Sequence, residues 1–525
     1  MSNSSAERGV TRRTLLLAAA AERSPVAETE HGRVGGATAR GVHVFRGIPY
    51  GGPTEGVGRF LPPSKPEKWA GVRDATVTGP RCVQAPGNIF LNPVIGEYFA
   101  GGRPDREELA KQIDSENCLV LNVLTPGLRG KRPVMVYLHG GGFSGGSGVL
   151  TLFGDGFVRE QDVVLVGVNH RLNAFGYTYL GGLSAKYAAG NAGQLDLVAA
   201  LEWVRDNIAH FGGDPARVMI FGESGGGAKV SALMAMPAAK GLFHRASVQS
   251  GSMLRAATAK DATAAAQKLL ANLGLKESQV DELQKVPAER LLEAAKGQGP
   301  LGGGVVVDGN SIPEQTWDPR APEVSAAVPM LIGNDKDEST LFSVRDEALF
   351  SLDDAGLRSR VVRAGIPEGE VDSLVALYRR DHPGESPTDL YFRISTDRGA
   401  RRNAVRQAEL KLEQGKANVY LWYCQWNTPL GEGKLKMKAF HTCDLPLTMR
   451  LVRFQESEQL SRQLSSAWAA FARTGNPSTK ALPWPAYTMA ERATMVFDAA
   501  KSEVMNDPDR EERIRLRDRP SGGLL

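Results

Sequence analysis

Short, unbroken apolar runs around a long amphipathic segment constrain this chain more than any other feature. VMVYL (134–138), VVLVGV (163–168), VMIF (218–221) and VPMLIG (328–333) show no polar alternation. A strand that is apolar on both sides must be covered on both faces, which is the condition inside a parallel sheet. Between the second and third runs, Leu197, Val198, Leu201, Val204, Ile208 and Phe211 recur at helical spacing, with Glu202, Arg205 and Asp206 between them. Gly212-Gly213-Asp214-Pro215 then ends the helix. Strand, helix, strand in this order predicts a βαβ unit, and several such units predict a doubly wound, mostly parallel α/β sheet.

The rest of the chain reads as additions to that sheet. The first hundred residues are rich in Gly and Pro with short strands such as GVHVF, while 256–296 and 348–412 are rich in Ala, Leu, Glu and Arg and read as helical insertions or caps. No linker or repeat divides the 525 residues, so 27–525 are expected to form one domain. Before it, Arg12-Arg13 precede an apolar run from Leu15 to Ala21, which reads either as a twin-arginine export signal or as a plain tail. Export would make the protein periplasmic; a tail would leave it cytoplasmic. With 63 basic and 59 acidic residues the net charge is +4, too small a surplus for a nucleic-acid footprint. No run approaches the roughly 18 apolar residues of a membrane span. The four cysteines include no C-x-x-C pair, so neither a metal nor a cofactor is expected. Cys82 and Cys118 lie in loop-like surroundings, where two thiols or one disulfide are equally compatible with the residues.

Nucleophilic hydrolysis on such a sheet needs a serine on a sharp strand-to-helix turn, flanked by glycines that relieve the crowding. The G-x-S-x-G pattern occurs at both 142–146 and 222–226. Ser224 follows the strand RVMIF and opens the helical run AKVSALMAM, whereas Ser144 runs on into GGSG, which cannot start a helix. Context therefore selects Ser224. The glycines of His139-Gly140-Gly141-Gly142 can present bare N–H groups to a developing oxyanion, each worth about 3 kcal/mol, and the N–H of Gly225 would add a further donor. A phosphate cradle is the rival, but the G-K-[ST] ending is missing.

Chain order in this arrangement is nucleophile, acid, histidine. Of eight histidines only His382 and His441 come late enough. His382 lies in a charged proline turn, whereas His441 follows the strand NVYLWYCQW and is the better base. Asp335, Asp337 and Glu338 all follow VPMLIG, and the pattern alone leaves the acid open among them.

FRGIPY, SENCLVLNV, LHGGGF, VNHRLNAFGY, FGGDPARVMIFGESGGG, QSGS, NDKDEST and AFHTCDLP together resemble the type-B carboxylesterase/cholinesterase family, from about Ala27 to near the carboxyl terminus. The resemblance implies an α/β-hydrolase fold and a serine esterase acting on small esters. It implies Ser224 as nucleophile, Glu338 as acid, His441 as base, and Gly141, Gly142 and Gly225 as the oxyanion hole. Glu223 matches a buried carboxylate that tunes the site, and Cys82 and Cys118 match an early disulfide. Departures stand at Gly225, where the family has Ala and a looser turn is expected; at Asn117, where the usual Asp would make an ion pair; and at Asp444, where the family has Glu. With only 7% aromatic residues and no aromatic cluster, a general esterase of bacterial type fits better than a choline-ester specialist. Two other readings use the same fold: a catalytically silent binding protein, and a hydrolase of carbamates, amides or thioesters. The substrate pocket is expected from 303–307 and the helical insertions. The physiological ester and the oligomeric state are not encoded in any motif.

Overall fold

A computed structural model describes residues 24–86, 95–101, 111–297, 304–431 and 435–519. Arg12-Arg13 and the apolar run after them lie outside these residues, as does Gly303. The central sheet has eleven strands. They are β1 (Ala37–Ala39), β2 (Val42–Pro49), β3 (Val120–Thr125), β4 (Arg132–Leu138), β5 (Val164–Val168) and β6 (Gly213–Glu223). The second half contributes β7 (Arg245–Gln249), β8 (Met330–Asp335), β9 (Val419–Cys424), β10 (Ala493–Phe497) and β11 (Glu503–Asn506). Their spatial order is β11-β10-β9-β8-β7-β6-β4-β5-β3-β2-β1. Pairing is parallel from β5 through β10 and antiparallel at both margins.

The unbroken apolar runs sit where two-sided burial demands them. Along β4, Val134, Val136 and Leu138 point into one core, and Met135 and Tyr137 into the opposite one. The same alternation sends Val218 and Ile220 of β6 one way and Met219 and Phe221 the other. Each such side chain contributes about 2 kcal/mol by leaving water. Helix α1 (Ala192–Asn207) covers the first face with Leu197, Leu201 and Val204. The second face is covered by Leu460, Leu464 and Trp468 of α4 (Glu458–Thr474); α2 (Gly225–Leu233) and α3 (Arg402–Glu413) lie between these in the chain. The periodic stretch expected to be one helix to Phe211 changes at Asn207 into a 3₁₀ turn, Ile208–Phe211, closed by Gly212 at φ +77°. The 348–412 insertion is helical as expected, and its side chains Leu357, Val361, Leu374, Tyr378 and Leu390 build a separate small core.

Topology fixes where a ligand can enter. After β4 the chain moves outward to β5 and then returns to the other side of β4 as β6. The loops leaving β4 and β6 therefore diverge over a crevice at the carboxyl ends of the strands, the usual ligand position in an open α/β sheet. Registers of Leu138 with Gly222 and of Glu223 with Gln249 bring the strand ends level there.

Candidate active site

Ser224 stands between β6 and α2 with φ +59° and ψ −127°, a backbone conformation that L-residues avoid. Its N–H donates to Gln249 O at 2.9 Å, which ties the strained turn to β7. The strain is tolerable because the neighbouring glycines allow very close approach: a Cβ at Gly226 would overlap Leu138 O. Gly225 is equally constrained, since a Cβ there would overlap the backbone of Gly142. The looser turn expected from Gly in place of Ala is thus corrected: the missing methyl lets the glycine loop press against the turn. Gly225 opens α2, so its N–H has no partner within the helix.

The loop after β4 supplies the opposite wall. Gly141 and Gly142 have φ of +88° and +62°. Every carbonyl from His139 to Gly142 is tied back into the protein. His139 O and Gly142 O accept from Lys229 Nζ, Gly140 O faces His139 Nδ1, and Gly141 O accepts from Gly145 N. Because C=O and N–H point oppositely across a planar peptide, the N–H groups of Gly141 and Gly142 are turned the other way. Ser144, the second G-x-S-x-G serine, is exposed at the end of this loop, where no α-helix follows it directly and its Oγ lies 3.4 Å from Gly141 O.

His441 and Glu338 converge from two other strand ends. Glu338 follows β8; its Oε1 accepts Asp335 N at 2.9 Å, its own N–H donates to Thr396 Oγ1 at 3.1 Å, and its Oε2 makes a short contact with His441 Nδ1. Asp335 and Asp337 face elsewhere, toward Cys443 Sγ at 3.3 Å and toward Lys336 at 3.3 Å. The imidazole is buried, lies 4.9 Å from the Phe342 ring, and keeps Nε2 without a hydrogen bond, 3.3 Å from Glu223 Oε1. Burial opposes its charge, but Glu223 and Glu338 outweigh that and bring its pKa up to about 9. Burial pushes Glu223 well above the usual carboxylate range. His382, the other candidate, instead pairs with Glu512 at 2.7 Å and does not line the crevice.

A further carboxylate supports the nucleophile turn from behind. Asp444, fully buried and raised by that burial to about 7, accepts from Gln249 Nε2 at 2.5 Å. Gln249 Oε1 in turn receives Trp468 Nε1 at 3.2 Å. The shorter Asp thus still reaches the residue whose carbonyl holds Ser224. Asn117 makes no ion pair but accepts the N–H groups of Thr54 and Glu55, while the neighbouring Glu116 pairs with Arg59.

The structure describes Cys82 and Cys118, like Cys424 and Cys443, as free and buried thiols, with no disulfide bond between them. Cys82 and Cys118 are hydrogen-bonded neighbours, and that bond together with burial raises the Cys118 thiol well above its usual value. Ser224, His441, Glu223, Gly140, Gly141, Gly142 and Gly225 line one cavity of about 980 Å³. Other parts of its wall come from Ser144 at the end of the glycine loop, from 252–255, Asp318, Leu341 and Phe342, and from Arg402, Asn403 and Arg406 of α3. Of the two helical insertions, 348–412 contributes as expected, whereas 256–296 and Val305–Val307 do not line it. Sequence reading missed Gln249 and Lys229; the one available signal was a lysine inside the apolar helix AKVSALMAM.

The chain as a whole has well-matched relatives. The family model described as the carboxylesterase family matches residues 23–516. The chain is 36% identical to the para-nitrobenzyl esterase of Bacillus subtilis (strain 168), covering 94% of this chain and 98% of that protein. It is 31% identical to the phenmedipham hydrolase of Pseudarthrobacter oxydans, covering 94% and 99%. The crystal structure of a Geobacillus stearothermophilus carboxylesterase superposes with a TM-score of 0.79 at 36% identity, covering 93% of this chain and 99% of that one.

Proposed function

The chain belongs to the carboxylesterase family and is a carboxylic-ester hydrolase, and from that premise we propose that it works through an acyl-enzyme on Ser224. The observation that carries the reading is the contact of Glu338 Oε2 with His441 Nδ1 beside a strained serine in the same cavity. Neutral His441 takes the Ser224 Oγ proton at Nε2 as the oxygen attacks the ester carbonyl. Glu338 fixes the ring's tautomer and stabilises the imidazolium that results. The carbonyl oxygen becomes an oxyanion, received by the N–H groups of Gly141, Gly142 and Gly225. His441 then returns its proton to the leaving alcohol, and water releases the acid by the same steps. Glu223, whose proton affinity burial raises, faces Nε2 and adds to the field that favours the imidazolium. Residues 27–525 act as one catalytic domain in this account.

Replacing Ser224→Ala tests it with p-nitrophenyl butyrate as substrate. Loss of at least about 10⁴ in kcat is expected, and activity within about tenfold of the parent would contradict the assignment. Matched ester, carbamate and amide substrates distinguish the bond cleaved: the ester is expected to have the highest kcat/KM.

A further inference from the structure

The nucleophile helix α2 carries one charged side chain, Lys229, and it is completely buried. Its ammonium donates at 2.9 Å to His139 O and at 2.9 Å to Gly142 O, and lies 5.6 Å from the centre of the Phe143 ring. Burial alone pulls its pKa down, to about 7, with no carboxylate acting to hold it up. The nearby titratable groups are His139 and His170, their rings tilted to each other with centres 4.7 Å apart, and the Lys229 charge helps to keep both neutral. An amine sunk in the core with only carbonyl partners is a costly arrangement, and an apolar residue would serve packing better. What the cost secures is the position of a loop.

Lys229 lies one helical turn after Gly225, so the two share a face of α2, and that face meets Gly142. Gly225 admits the loop by having no Cβ; Lys229 holds it by both ends, His139 and Gly142. The intervening carbonyls of Gly140 and Gly141 are tied by the loop's own groups, so the orientation of the two glycine N–H groups depends on where the ends are pinned.

We propose that Lys229 is a positioning residue for ester hydrolysis, pinning the His139 and Gly142 carbonyls so that the loop's N–H groups converge with that of Gly225 on the oxyanion. The inference rests on the acyl-enzyme reading above, and its test separates the two. Lys229→Met keeps the length and removes the donors, whereas Lys229→Gln keeps an N–H donor of similar reach. The active-site concentration of each variant is first titrated with a fluorophosphonate, so that only folded, competent enzyme is counted. Wild type that takes up no label would overturn the acyl-enzyme reading itself.

The informative quantity is kcat for an ester against its matched thionoester, whose sulfur accepts hydrogen bonds poorly. Lys229→Met is expected to lower kcat for the ester about tenfold to hundredfold with KM little changed. The ester-to-thionoester ratio should fall by a similar factor, and Lys229→Gln should restore much of both. A ratio in the Met variant equal to wild type, whatever happens to its thermal stability, would make Lys229 a packing residue and overturn the proposal. Should the Met variant fail to fold, Lys229→Leu, which also lacks the donors, takes its place: a lowered ratio supports pinning, and a ratio equal to wild type contradicts it.

Discussion

The five-residue pattern G-x-S-x-G occurs twice in this chain, and its two copies fold into objects with opposite uses. At 222–226 the serine is caught between a strand and a helix, strained at φ +59° and held by Gln249. At 142–146 the serine is exposed in a turn whose carbonyls are bound back into the protein. In the proposed mechanism one copy supplies the nucleophilic oxygen and the other supplies backbone N–H groups. The physical difference is what surrounds the glycines: close backbone approach and a following helix in one, positive-φ turns anchored by Lys229 in the other. Position relative to strand ends, and not the motif, decides the chemistry.

The largest contrast is expected between the two serines themselves. Ser224→Ala should cost about 10⁶ in kcat, the scale of losing a triad nucleophile. Ser144→Ala should leave kcat within about twofold, since its hydroxyl makes only a 3.4 Å contact with its own loop. Steady-state kinetics on p-nitrophenyl butyrate checks both, and a large loss at Ser144 would break the comparison.

The two histidine–carboxylate pairs, His441 with Glu338 and half-buried His382 with Glu512, extend it. His441→Ala should lower kcat by about 10⁴ or more, because the base is removed. His382→Ala should leave kcat unchanged while stranding buried Glu512, at a stability cost of about 1–3 kcal/mol seen as a lower Tm. Glu338→Gln should fall between, at roughly 10²–10⁴ in kcat, with the ring's orientation weakened.

The pH profile sharpens the assignment of the base. The raised pKa of His441 means that the imidazole is charged at low pH and becomes a base only on deprotonation. Accordingly log kcat/KM should rise with pH and level off above about 9. Glu338→Gln removes one of the charges that raise it, so the limb should move to lower pH. An unshifted limb would assign that ionisation to another group.

A smaller effect is expected where the two copies touch. Gly225→Ala introduces a methyl that must push Gly142 aside, and kcat should fall about tenfold to hundredfold with modest change in KM. Unchanged kcat would mean that the loop can retreat without losing its donors.

Much of this architecture is legible in the sequence, for identifiable reasons. Unbroken apolar runs report two-sided burial directly, so β4, β5, β6 and β8 could be read from composition alone. Ser224 could be separated from Ser144 because strand and helix signals are local. The acid could not: Asp335, Asp337 and Glu338 have the same neighbours in sequence, and only the turn after β8 aims Glu338 at Nδ1. The loops of Cys82 and Cys118 likewise give no hint of how deeply both sulfurs are buried. Beyond the oddity of a lysine in an apolar helix, the roles of Lys229 and Gln249 were not legible, because their partners are loop carbonyls, a helix carboxylate and the Ser224 N–H, brought together only by the fold.

The central claim is that Ser224 carries the acyl group. Reacting the protein with a fluorophosphonate, digesting it and locating the added mass by tandem mass spectrometry tests that most directly. The account predicts one modified residue, Ser224, in the peptide spanning FGESGGGAK, with labelling lost in Ser224→Ala. Label on Ser144, or undiminished labelling after Ser224 is replaced, would contradict it.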